Sequence, residues 1–247
     1  MGLFNLFSAK EVSTIKIDEI DFSQLDRAKF LSEYFLPRKP LLIKGGAHNW
    51  PLIEHWSNDF IMQNYGDYNC TVITDSRPAY AKLKTTLKDY FLNHKGKSTL
   101  TLDFDPLKSI FFLKGLKFPN PYFSKKDINR FFFYHSVKDA GTLPHVHKDA
   151  FNILRKGEKR WIMIDADKEK SPLGYNVLLD SYKKYPSGSH AKDWFRKELP
   201  KVARKVNLLE CYQTDSDIVF VPESFCHTVV NISDEVLGIV VEITRKQ

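Results

Sequence analysis

Hydrophobic and polar positions change their period once along the chain, near Arg130. Upstream, apolar residues at Leu25, Ala28, Leu31 and Phe35 recur at helical spacing, which predicts a helix over 21–35 with Ser23 as N-cap and Pro37 as its stop. RKPLLIKG then reads as a short apolar strand closed by Gly45 and Gly46. A helical stretch from Trp56 to Asn64, a strand from Asn69 to Thr74 and a helix from Lys84 to Asn93 follow. Downstream of Arg130, RFFFYHS, FNILRKGEKRWIMID, LLECYQ, DIVFVP and EVLGIVVEI are strand-like runs divided by turn signals such as KDAGT, Lys156–Gly157 and PES. A Pro-, Gly- and Lys-rich insertion over 167–206 interrupts them.

The pattern predicts a mainly β protein: a helix-rich N-terminal part over 1–129, then a β-sandwich or small barrel over 130–247. No long Gly/Ser-rich or Pro-rich stretch separates the two, so they read as one domain with an N-terminal extension and a helical insertion.

Composition changes this picture little. Apolar residues make up 43% of 247, enough for a substantial core, and the 19 Phe and 11 Tyr favour sheets, on which flat rings pack well. Cys70, Cys211 and Cys226 form no CxxC pair, which leaves neither a disulfide framework nor a thiolate zinc site. No run approaches the ~18–20 apolar residues of a membrane span. MGLFNLFSAK lacks the basic and apolar regions of a signal peptide, and Leu6 stands where a myristoylation pattern has Ser or Thr, so the expected location is cytoplasmic. The net charge of +7 is concentrated between Lys183 and Lys205, where eight positive residues meet two negative ones. Such a run reads first as a solvated helix face and otherwise as a dock for an acidic partner; neither a membrane nor nucleic acid is an expected partner.

Chemistry concentrates on histidine. His145 and His147 form PHVH at a predicted strand, and residues i and i+2 of a strand share a face, so both imidazoles can reach one metal ion. His227 lies some 80 residues later in VPESFCHTVVN, also beside a strand. A close pair plus a distant third ligand is a common way to build a mononuclear site in a β-barrel.

The stretch GTLPHVHKDAFNILRKGEKRW, followed by DIVFVPESFCHTVVNISDEV, resembles the JmjC/cupin-like family of Fe(II)- and 2-oxoglutarate-dependent oxygenases. The matching features are Thr142 three residues before His145, the G-x-K-R-W turn, the VP-x-x-x-x-H-x-x-x-N segment and the early RKPLLIKGGAHNWP, together spanning roughly 22–245. The resemblance implies a double-stranded β-helix. It implies Fe(II) on His145 and His227, and Lys159 paired with the far carboxylate of 2-oxoglutarate. Thr142 and Asn152 would lie near the same cosubstrate, and Asn231 would orient His227 or cap its strand. By family analogy the activity is hydroxylation of a protein or peptide side chain.

One position departs from the family. Its usual triad is His-x-Asp/Glu…His, and here His147 replaces the carboxylate that would cancel one charge of Fe(II). Three arrangements are compatible with this: a three-histidine centre of His145, His147 and His227; a register shifted by two, with His147 and Asp149 as the ligands; or a decayed site in a binding protein, which would dock an acidic partner through the basic insertion. A three-histidine dioxygenase acting on a small molecule without 2-oxoglutarate is a further alternative, against which Lys159 argues. Val240 stands where some relatives place a hydroxyl. Cys226, Trp50, Trp56 and Trp161 read as packing residues and His48 and His55 as local hydrogen-bonding groups, while the sequons at Asn69 and Asn231 carry no weight in a cytoplasmic chain.

Overall fold

The computed structural model describes residues 12–50, 57–74, 82–95, 98–104, 122–167, 172–183, 185, 191–223 and 225–245. His55 and Trp56 lie outside them, as does Lys184 of the basic run.

The N-terminal part opens with β1 (Ile15–Lys16) and β2 (Asp18–Asp21), and the predicted first helix proves to be three pieces. Asp21 caps a 3-10 turn over Phe22–Gln24, Asp26 caps α1 (Arg27–Phe30), and the chain widens into a π-helix over Leu31–Phe35. Ser23 is therefore not the N-cap: its hydroxyl bonds to Asp21 at 2.5 Å, whereas the Asp26 carboxylate takes the exposed N–H of Lys29 at 2.8 Å. Next come β3 (Leu41–Lys44), α2 (Asn58–Tyr65) capped by Ser57, and β4 (Asn69–Thr74). The expected helix over 84–93 is half strand. Residues Lys82–Thr86 form β5 against β4, and only from Thr86, which caps α3 (Leu87–Asp89), does the chain turn helical and continue as a π-helix over Tyr90–His94. β-Branched Thr85 and Thr86 suit the strand they complete. β6 (Ser98–Phe104) closes this part.

The second part supplies β7 (Ile128–Val137), β8 (Gly141–His145), β9 (Ala150–Lys156) and β10 (Lys159–Asp165). The insertion carries α4 (Pro172–Lys183), α5 (Ala191–Lys197) and α6 (Leu199–Val202). β11 (Leu209–Gln213), β12 (Ile218–Val221), β13 (Phe225–Asn231) and β14 (Glu235–Ile243) follow.

Two sheets result, ordered β1-β11-β10-β13-β8 and β2-β3-β12-β9-β14-β7-β6-β4-β5. Along β7 to β14 the chain passes back and forth between them, the winding of a double-stranded β-helix, or jelly roll. The N-terminal strands β2 to β6 widen the larger sheet on both sides of that core; of these, β3 and β4 are the expected strands at RKPLLIKG and Asn69–Thr74.

Period-two alternation sorts side chains into layers. Outward residues of the large sheet, among them Phe131, Phe133, Phe151, Ile153, Phe220, Ile239 and Val241, pack with Phe30, Tyr34, Trp50, Tyr90 and Phe91 in the main core. Outward residues of the small sheet, Ile162, Ile164 and Cys226, meet Leu178, Trp194, Leu199 and Val202 of the insertion helices. Between the sheets lie Trp161, Met163, Val219, Val221, Phe225 and Val229. The insertion thus spends its apolar face on the sheet, and its charges are largely matched locally. Lys183 meets Asp180, Lys192 meets Asp139, Arg196 and Lys197 share Asp193, and Lys201 meets Glu198. That is the behaviour of a solvated helix face. No described helix is long and apolar enough to cross a membrane.

Candidate metal centre

The alternation that layers the core also builds a cavity of about 170 Å³ between the sheets. Alternate residues of each strand line it: Phe132, Tyr134 and Ser136 from β7, Ala150 and Asn152 from β9, Lys159 and Trp161 from β10, His227, Val229 and Asn231 from β13, and Val240 from β14. Gly141, Thr142, His145, His147 and Val221 complete the lining.

His145 and His227 face each other across the antiparallel β8–β13 pair, and the ladder slips just beyond, between His227 and Val229. His147 follows two residues after the end of β8, and its ring lies 4.5 Å from that of His227 and 5.3 Å from that of His145; the His145–His227 separation is 4.3 Å. The three residues form a cluster whose ligand atoms all lie within 4.8 Å of one another, and it could hold a metal ion. Metal–nitrogen bonds of 2.0–2.1 Å allow two ligand atoms on one ion to be at most about 4.2 Å apart, so small side-chain rotations suffice to close the set.

The hydrogen bonds fix which nitrogen is offered. Nδ1 of His145 donates to the Leu143 carbonyl at 2.8 Å, Nδ1 of His227 to the Phe225 carbonyl at 3.0 Å and Nδ1 of His147 to the Lys148 carbonyl at 2.6 Å. With each Nδ1 so engaged, the lone pair is on Nε2, the arrangement by which carbonyls orient metal-ligating imidazoles. Burial pushes His145 down to about 4; it also pushes His227 well below the usual range, helped by the neighbouring histidines. Both rings are neutral at physiological pH, the form that ligates a metal.

Lys159 is buried in the same cavity, directly opposite Asn231 in the β10–β13 ladder. Its Nζ stands over the rings of Tyr134 at 3.9 Å and Trp161 at 5.5 Å, and burial pushes its ammonium down to about 7. Among the described residues it has no carboxylate partner, and no Asp or Glu lines the cavity. A cation so placed is unfavourable unless an anion joins it. Asn152 accepts the Tyr134 hydroxyl at 2.9 Å. Tyr134 itself escaped the sequence reading, although it has the inward parity of Phe132 and Ser136.

Asn231 sends its amide N–H groups to the Ser136 hydroxyl at 2.8 Å and the Val137 carbonyl at 2.9 Å, tying β13 to β7; no hydrogen bond to His227 is found among the described residues. Its Oδ1 is buried without a partner. Because the Val137 carbonyl needs a donor, the amide cannot be turned round, and the free acceptor belongs to a cavity-lining residue. Thr142 lines the mouth, with its carbonyl accepting the Thr228 hydroxyl at 2.6 Å.

Asp149 is not brought to the cluster. Its buried carboxylate receives Nε and Nη2 of Arg245, the latter at 2.8 Å, together with the Glu223 N–H at 3.0 Å. The Cys226 thiol, pushed up to about 12 by burial, faces the insertion helices as a packing group. His48, which does not line the cavity, donates its Nδ1–H to the Gly45 carbonyl at 3.3 Å.

Comparison with known proteins places this architecture among relatives. No family model matches the chain. It is 24% identical over 244 residues to the bifunctional arginine demethylase and lysyl-hydroxylase psr-1 of Caenorhabditis elegans, covering 87% of this chain and 58% of that protein. It is 23% identical over 234 residues to the arginine-specific demethylase JMJ22 of Arabidopsis thaliana and 24% identical over 234 residues to the lysine-specific demethylase JMJ21 of the same plant. Those matches cover 84% of this chain but 42% and 23% of the relatives, so the chain spans only part of the proteins it matches. Relatives of this kind, a jelly-roll core and three histidines gathered inside it agree with one another: the chain is similar to JmjC-domain demethylases and lysyl-hydroxylases, and its two-sheet fold is consistent with a JmjC/cupin-type barrel.

Proposed function

We propose that the protein is an Fe(II)- and 2-oxoglutarate-dependent oxygenase that hydroxylates a protein or peptide side chain. The observation that carries this reading is the coincidence, in one cavity, of three histidines able to share an ion with a buried lysine that has no carboxylate partner among the described residues. His145, His147 and His227 would hold the iron, and Lys159 would pair with the far carboxylate of 2-oxoglutarate. With both bound and O₂ as the oxidant, the centre would supply the chemistry that converts the cosubstrate to succinate and CO₂ and hydroxylates a C–H bond, one oxygen atom of O₂ going to each product.

The residues of the chain do the rest. The Leu143, Lys148 and Phe225 carbonyls engage Nδ1 of the three imidazoles and leave Nε2 for the ion. Tyr134 packs its ring beneath Lys159 and, through Asn152, is held in that position. Trp161 donates its indole N–H to Gln213 at 3.0 Å, and Gln213 in turn donates to the Asn152 and Asp217 carbonyls, so this wall is fixed before any ligand arrives. Phe132, Val221, Val229 and Val240 keep the remaining wall apolar and exclude water. The proteins named above act on arginine or lysine residues, which supports a protein substrate for this chain.

The test is an anaerobic titration of metal-free protein with Fe(II) and then 2-oxoglutarate. A visible charge-transfer band that is lost in His227→Ala is the expected result. Iron binding with no band would overturn the cosubstrate assignment in favour of a three-histidine centre that works without it. Absence of iron binding would overturn the enzyme reading and leave a binding protein.

A further inference from the structure

We infer that the substrate group this centre accepts beside His147 is a carboxylate, as on an acidic side chain, and that a cationic side chain is disfavoured there; the inference rests on the function proposed above. The argument is one of charge. Among the described residues, the cavity lining holds three imidazoles and Lys159 and not one Asp or Glu. Asp149 and Glu223, neither of which lines the cavity, are already matched. Asp149 is held by Arg245, and Glu223 is 3.1 Å from Lys148, the neighbour of His147.

A divalent ion on three neutral imidazoles keeps both its charges, and a protonated Lys159 adds a third. A dicarboxylate cosubstrate removes two, which leaves one positive charge in a largely apolar chamber. In the His-x-Asp/Glu…His arrangement that charge is cancelled by the protein, and a guanidinium or ammonium substrate meets a neutral centre. With His147 in that position the cancelling charge has to arrive with the ligand. The net charge of +7 on the whole chain acts in the same direction at longer range.

The test uses the full chain loaded anaerobically with Fe(II) and 2-oxoglutarate, and its readouts are binding rather than turnover: calorimetry and the shift of the charge-transfer band. The probes are acetate and two end-blocked alanine-rich peptides that differ only in a central Asp or Arg. The expected result is that the Asp peptide binds at least ~10-fold more tightly than the Arg peptide, as one unpaired charge at close range requires. In His147→Asp that preference should fall below about threefold, since the protein then supplies the negative charge. Acetate binding as tightly as the Asp peptide would assign the carboxylate to a small molecule. An Asp peptide superior to acetate assigns it to a protein side chain. Equal or tighter binding of the Arg peptide to the native protein overturns the inference while leaving the oxygenase reading intact. So does binding of neither peptide with acetate also silent. If no charge-transfer band forms at all, both fall together.

Discussion

The ammonium of Lys159 lies 3.9 Å from the centre of the Tyr134 ring, and among the described residues no carboxylate lines the chamber that contains both. A lysine in that position is a strained guest in the empty protein and a prepared partner in the liganded one. Its pH behaviour separates the two states. Burial lowers its folded-state value from the ordinary 10.5 to about 7, so between those limits the unfolded chain binds more protons than the folded one. Ligand-free protein should therefore become more stable as pH rises from about 7 towards 10.5, and lose that gain as pH falls back through 7. Lys159→Met should remove this slope and raise the stability of the ligand-free protein at pH 7 by about 2–4 kcal/mol, read by urea unfolding at pH 7 and pH 9. The same variant should bind 2-oxoglutarate about 100-fold more weakly, the usual consequence of deleting one member of a buried charge pair.

Asp149 and His147 exchange roles if the register is shifted by two, and one pair of variants separates them. Asp149→Asn should destabilise the fold by about 3–5 kcal/mol, because it strands Arg245 opposite a neutral group, yet leave Fe(II) affinity of the folded protein within a factor of three. His147→Ala should barely change stability, since the residue is only partly buried in a loop, and should weaken Fe(II) binding at least ~10-fold. Calorimetry of metal binding alongside thermal melting gives both numbers. The opposite pattern would make Asp149 the ligand.

Glu235 anchors β14 from outside the chamber. Its carboxylate receives Lys156 at 2.5 Å, Asn58 at 2.7 Å, His135 at 2.9 Å and Lys95 at 3.1 Å, and the buried His135 carries the chain of bonds on to the Tyr90 hydroxyl at 2.6 Å. Burial alone would raise the Glu235 pKa, but these donors outweigh it and hold the carboxyl far below the ordinary 4.5. Its contribution is accordingly complete above about pH 4.5 and fades as the pH falls towards the lowered folded value. Glu235→Gln should cost about 2 kcal/mol at pH 7, and the gap from the native protein should narrow on acidification, followed by circular dichroism from pH 6 to pH 2.

How far the sequence announces all this depends on the range of the interaction. Asn69–Thr74 is legible as a strand because its character is local, whereas Lys84–Asn93 misleads because Thr85 and Thr86 take their conformation from pairing with β4. The histidine cluster is legible through spacing and family resemblance together, and Tyr134 would have been legible through parity alone. The role of Asp149 is not. His-x-Asp starting at His147 satisfies the local pattern perfectly well, and it is Arg245, 96 residues away in the chain, that engages the carboxylate in the fold. The same holds for Asn231, whose amide is claimed by Ser136, 95 residues upstream.

Gly238 offers the finest control of the cosubstrate wall. It sits on β14 directly opposite Tyr134 on β7, and a Cβ there would stand closer than 3.0 Å to both the Tyr134 hydroxyl and the Ile153 carbonyl oxygen. The position is thus a clearance, and Tyr134 can reach Asn152 only because it is kept. Gly238→Ala should force the phenol aside, cost about 1–3 kcal/mol by overpacking and weaken 2-oxoglutarate binding by loosening the ring beneath Lys159. Tyr134→Phe supplies the control: it removes the hydrogen bond but keeps the ring, so it should cost about 1 kcal/mol and bind the cosubstrate more tightly than Gly238→Ala does. If instead Gly238→Ala binds 2-oxoglutarate like the native protein, the ring of Tyr134 has no part in holding Lys159, and the lysine alone sets the affinity.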